Sequence, residues 1–188
     1  MIELRLTPNA HDPGGKRRLP LPATWDVSAR FDGLADCYRY ELSHRWGDGP
    51  MVLWAMMNPS TADFKCLDPT VAKTARMSRL LGFGGQFVAN AAAYRATDRM
   101  KLLGTPDPVG PGNHAAILAM AAQADLIVVA HGRLPGNLQP LAHTMCRILR
   151  EAGHSLHILR LTKDGIPTHP LARGKGYIPD DKKPELWV

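Results

Sequence analysis

Seven consecutive apolar residues, 51–57, end abruptly at Asn58-Pro59. A run of that length without polar alternation fits a strand buried on both faces. Such strands belong to parallel sheets covered by helices on either side. Residues 86–91, 126–130 and 155–161 read as three further strands of the same kind. Residues 38–42 alternate and suggest an edge strand.

Helical segments fall between these strands. Asp68-Pro69 places a preferred N-cap before a preferred first helical residue, and predicts a helix running to about Leu81. The Gly82, Gly84 and Gly85 cluster stops it. Residues 113–123 form an alanine-rich segment with Asn113 as its expected N-cap. Leu138, Leu141, Met145, Ile148, Leu149 and Ala152 share one face of a helix over 137–152, with Gly153 as its C-cap. Alternating strands and helices predict a three-layer α-β-α fold with a central, mainly parallel four-stranded sheet. Residues 37–188 are expected as a single α/β domain. Residues 1–36 carry turn formers but no periodicity, and read as an irregular N-terminal extension. The segment from Thr162 to Pro184 holds seven glycines and prolines and reads mostly as loop.

Composition narrows the classes. With 188 residues, one domain is the default. No apolar run approaches the roughly 20 residues that span a bilayer. The first residues lack the apolar stretch of a secretory signal. Cys37, Cys66 and Cys146 form no Cys-x-x-Cys pair, so neither a disulfide framework nor a four-cysteine metal site is expected, and a reducing, cytoplasmic home is the simplest reading. The net charge is +6, yet residues 1–36 are balanced, with five basic and five acidic side chains. Residues 73–101 hold six basic residues and one acid. That bias suits either a polyanionic partner, nucleic acid above all, or a solubilising surface.

In parallel sheets, ligands bind beyond the carboxyl ends of the strands. Three polar motifs stand there: Asn58-Pro59-Ser60-Thr61, Asn90 and His131-Gly132. Thr168-His169-Pro170 lies in the loop beyond the last strand. Each has two readings. Asn58 caps a turn or holds a water or substrate edge, because its amide offers a donor and an acceptor. Asn90 needs a partner for its amide, either a neighbouring loop or a ligand. His169 is structural or part of a site, and His131-Gly132 is a turn or carries a catalytic histidine. His154-x-x-His157 enters a strand and so splits over two faces. His143-x-x-Cys146 shares a helical face but lacks further ligands at metal spacing. No metal and no cofactor are expected. Gly82-x-Gly84-Gly85 follows a helix rather than a strand, which excludes the dinucleotide fingerprint.

Together, Met-x-Asn-Pro-Ser-Thr-Ala-Asp at 56–63, Asp-Pro-Thr at 68–70, the segments 88–98 and 109–113, and the His-Pro-Leu run within 162–171 resemble a bacterial and phage domain-of-unknown-function family. The order of motifs is also distantly similar to the uracil-DNA glycosylase superfamily, with Met57-Asn58-Pro59 as the first motif, Asn90 the second and His169-Pro170 the third. Met56 and Ser60 stand where that superfamily usually has glycines, and Leu171 where it has serine.

This resemblance implies a uracil-DNA glycosylase-like fold and action on a flipped nucleobase in DNA, with no iron–sulfur cluster. Asn58 would position the attacking water and His169 would stabilise the departing base. Asn90, Phe64, Ser60 and Asp63 would contact the base or its nucleotide. Thr61, Leu171, Arg173 and Lys175 would meet the nucleic acid, Leu171 as a wedge in the emptied stack. Three alternatives stand beside it: a non-catalytic nucleic-acid or nucleotide-binding module, a hydrolase of free nucleosides or nucleotides, and a zinc-dependent hydrolase.

Overall fold

A computed structural model describes His11 and residues 17–188. The first strands are β1 (Leu19–Pro20), β2 (Asp26–Asp32), β3 (Tyr38–Arg45), β4 (Met51–Met56) and β5 (Cys66–Leu67). Helix α1 (Pro69–Leu80) leads to β6 (Gly85–Asn90), α2 (Asn113–Ala121) to β7 (Leu126–Val129), and α3 (Gln139–Glu151) to β8 (Leu156–Ile158) and β9 (Glu185–Leu186).

The central sheet has seven strands, not four, in the order β2-β3-β6-β4-β7-β8-β9. The four expected strands, β6, β4, β7 and β8, are its contiguous parallel block. Antiparallel strands extend it on both sides, β3 and β2 beyond β6, and β9 beyond β8. β3 is therefore an internal strand, not an edge. The N-terminal segment expected to be irregular through Asp36 supplies β1 and β2, while residues 1–10 and 12–16 lie outside the described residues. A register shift between Arg30 and Phe31 breaks the β2–β3 ladder.

Strand alternation divides the core into two layers. Leu53, Ala55, Ile127 and Val129 pack with Ile117 and Met120 of α2 and Met145 and Leu149 of α3. Val52, Trp54, Met56 and Val128 pack with Val71 and Met77 of α1, and Ile178 closes the same layer. Helices on both faces explain why β4 is buried along its whole length. Trp54, fully buried, donates its indole N–H to Ser78 Oγ at 2.9 Å, so the sheet is fastened to α1 by a satisfied polar group.

The helix ends follow from local chemistry. Asp68 Oδ1 accepts from the amides of Thr70 and Val71 at 2.8 and 2.9 Å, and Pro69 opens the helix, as the sequence implies. Asn113 departs from its expected role. Gly112 is the N-cap, and Asn113 is the first helical residue. Its Nδ2 reaches back to the Asn90 carbonyl at 2.9 Å, a bond to the sheet in place of a cap. Among the described residues, no helix is long and apolar enough to cross a membrane.

Candidate functional site

A cleft of about 640 Å³ opens at the carboxyl ends of the parallel strands. Met56 ends β4 and Met57, Asn58, Pro59 and Ser60 follow it, Asn90 ends β6, and His131 follows β7. His169 and Leu171 reach it from the loop beyond β8, and Asp68 from the head of α1.

The loop after β4 is tied to the segment after β6. Amides of Ala91, Ala92 and Ala96 donate to the carbonyls of Met56, Met57 and Pro59 at 2.8–2.9 Å. Asn58 completes this zipper. Its Nδ2 donates to the carbonyls of Pro59 and Ala96 at 3.0 and 2.7 Å. Two carbonyl partners fix which end of the amide is nitrogen, so Oδ1 is the end left as an acceptor. Ser60 Oγ pairs with Thr97 Oγ1 at 3.2 Å, along the same seam.

Asn90 is held more tightly. Its carbonyl accepts from Asn113, and its Oδ1 accepts from Arg39 Nη2 at 2.9 Å. Arg39, on β3, lines the cleft at 2% exposure. Its Nη1 donates to the Ala62 carbonyl at 2.8 Å, and its Nε has no partner. Among the described residues no carboxylate lies within ion-pairing distance of it. Burial pulls the guanidinium down to about 10, and the more distant Asp68 carboxylate pulls the other way. It stays charged at neutral pH.

The two histidines hold opposite tautomers. His131 Nδ1 lies 2.8 Å from the Gly132 carbonyl, which only accepts, so this nitrogen carries the proton. Burial pushes the His131 pKa down, and the ring is neutral. His169 Nδ1 instead accepts from the Leu171 amide at 3.1 Å, which leaves the neutral ring protonated at Nε2. Gly132 lets the two loops meet. It has φ +74°, and a Cβ there would lie 2.8 Å from His169 Cβ.

Asn58, Ser60, Asn90, His169, Leu171 and Arg173 thus share one cleft, and the other expected site residues do not. Phe64 lies outside the cleft lining, 41% exposed, with its ring edge-on to Phe31 at 6.2 Å. Asp63 Oδ1 accepts from the amides of Lys65 and Cys66 and orders that turn. Thr61, expected to meet nucleic acid, is buried at 1% exposure with its hydroxyl enclosed, because the loop turns it inward. Lys175 is exposed and lies beyond the cleft lining. Sequence reasoning missed Arg39 and Arg17 as cleft residues and read Asp68 only as a cap. Arg17, Arg99 and Arg173 are exposed basic side chains of its lining. Among the described residues, no three His, Cys, Asp or Glu side chains are grouped to hold a metal ion.

A family model described as a protein of unknown function, DUF1643, matches residues 39–171. The chain belongs to the DUF1643 family. The match takes in every residue of the cleft except Arg17 and Arg173, so the DUF1643 domain carries the site itself. No curated protein and no solved structure matches this DUF1643 chain.

Proposed function

We propose that this DUF1643 protein is a uracil-DNA glycosylase-like enzyme of the cytoplasm that hydrolyses the N-glycosidic bond of a damaged or modified base in DNA. The observation that carries the reading is the joint presence of Asn58, Asn90 and His169 in one cleft at the strand ends. The target base leaves the stack at a cost of a few kcal/mol and enters this cleft. Asn58, anchored through Nδ2, accepts a hydrogen bond from water on Oδ1 and aims it at the anomeric carbon. An amide is too weak a base to deprotonate that water, so it orients it. The carbon–nitrogen bond breaks as the water oxygen bonds to the sugar, and its electron pair departs on the base. His169, protonated at Nε2, donates to the charge that develops there. The Asp68 carboxylate favours the positive charge that builds on the sugar, and the surplus proton of the water passes to solvent. Leu171 supplies the exposed apolar wedge, and Arg17, Arg99 and Arg173 hold phosphates.

The test is a panel of labelled oligonucleotides, single- and double-stranded, carrying uracil, hypoxanthine, xanthine or oxidised pyrimidines. Alkaline cleavage at one of these bases is expected. No cleavage anywhere, with binding that weakens steeply in salt, would overturn catalysis in favour of a binding module.

A further inference from the structure

In the cleft, Arg39 has taken the acceptor of Asn90. A guanidinium only donates, so the contact between Nη2 and Asn90 Oδ1 has one orientation: the oxygen is turned to the buried cation, and Nδ2 is the end of the amide turned away from it. The amide cannot rotate to offer its oxygen without stripping a buried cation of a partner. Its backbone is pinned as well, by Asn113. Arg39 itself has five N–H bonds, of which its contacts to Ala62 and Asn90 use two; Nε is unpartnered but enclosed, so the donors left beside Asn90 are the second N–H bonds of Nη1 and Nη2. The Arg39–Asn90 pair is therefore a rigid wall of donors.

We infer that the Arg39–Asn90 wall selects a base edge with two neighbouring acceptors and no donor. N7 and O6 of an oxopurine form such an edge, as do N3 and O2 of a cytosine-type ring. A uracil-type edge, with O4 beside N3–H, leaves its donor against donors. A buried polar group left unpaired in this way costs far more than a lost contact, which is why it discriminates. This specificity rests on the reading that the cleft takes a nucleobase, and it does not need the base to be excised.

The test measures binding, by calorimetry or NMR titration, of 9-methylhypoxanthine, 1-methylcytosine and 1-methyluracil. In each, a methyl group stands where the sugar attaches, so nothing can be hydrolysed. The full chain is expected to bind the first or the second about tenfold or more tighter than 1-methyluracil, which is about 1.4 kcal/mol. The better of the two tells an oxopurine pocket from a cytosine pocket. Asn90→Asp keeps a partner for Arg39 but removes the Nδ2 donors, and should weaken the preferred ligand about tenfold. Arg39→Met frees the amide to turn and should bring 1-methyluracil to within about threefold of the others. A wild-type preference for 1-methyluracil, equal affinity for all three, or no binding of any would overturn the inference. Preference without excision from DNA would leave it standing and remove the glycosylase reading. Excision of uracil with the preference inverted would do the reverse.

Discussion

Burying Arg39 without a carboxylate beside it costs several kcal/mol of solvation, repaid only in part by its two hydrogen bonds. Arg39→Met removes that cost but leaves Asn90 Oδ1 and the Ala62 carbonyl without a donor. These terms oppose each other, so chemical denaturation should place the variant within about 2 kcal/mol of wild type. A loss beyond about 4 kcal/mol would mean that Arg39 is chiefly structural. The sequence hides this residue. It sits among Tyr38, Tyr40 and Leu42 in an alternating strand, where a charged side chain reads as solvent-facing. β2 then pairs along the far side of that strand, and the cleft takes up the side chain. Asn58, Asn90 and His131 were legible for the opposite reason. Each stands in or directly after an apolar run, where only a polar partner or ligand justifies an amide or imidazole.

At the scale of elements, the parallel block was readable because continuous burial leaves continuous apolar runs. The antiparallel flanks were not. β1 contains proline and β9 has two residues, so neither has a periodicity that rises above a loop; β2 does alternate, exposed with half-buried, but it stands in a segment whose turn formers masked that signal. Two expectations belong to this scale. Gly132→Ala puts a Cβ against His169 Cβ and strains a backbone at positive φ. It should lower stability by about 1–2 kcal/mol, read by denaturation, and cut excision more than Ser60→Ala does. Equal losses would separate the Gly132 turn from the chemistry. On β3, His44 is fully buried, and burial, helped by Arg39, pulls its pKa from 6.5 to about 4. The unfolded chain takes up this proton below pH 6.5 while the folded chain holds it off until about 4. Stability should therefore be full above 6.5 and fall through that interval, by on the order of 3 kcal/mol. His44→Gln should flatten this acid limb in denaturation measured against pH. An unchanged limb would show that His44 does not control it.

The whole molecule carries +6, and its cleft is lined by exposed Arg17, Arg99 and Arg173. Arg99 is braced, donating to the Arg133 carbonyl at 2.8 Å, so this charge is held in place at the mouth. Three phosphate contacts give a slope of about −3 for log affinity against log salt on duplex DNA. Arg99→Ala with Arg173→Ala should reduce it by about 2, measured by fluorescence anisotropy across salt. A slope that does not move would put the nucleic acid elsewhere on the surface. The strand-end geometry was visible in the sequence, but the source of the cleft's charge was not: of the basic residues at 73–101 only Arg99 lines it, beside Arg17 and Arg173. That depends on how the loops after β4, β6 and β7 and the loop carrying His169 fold together.

The most direct measurement is single-turnover release of free base from each oligonucleotide of the panel, followed by chromatography. Asn58→Ala and His169→Ala run beside the wild type, with thermal melts to show that each is folded. One base should be released in step with abasic sites, and each variant should slow release about a hundredfold or more while melting as a folded protein. Release that is unchanged in folded Asn58→Ala, or no release of any base by wild-type protein that binds the DNA, would contradict a glycosylase built on this cleft.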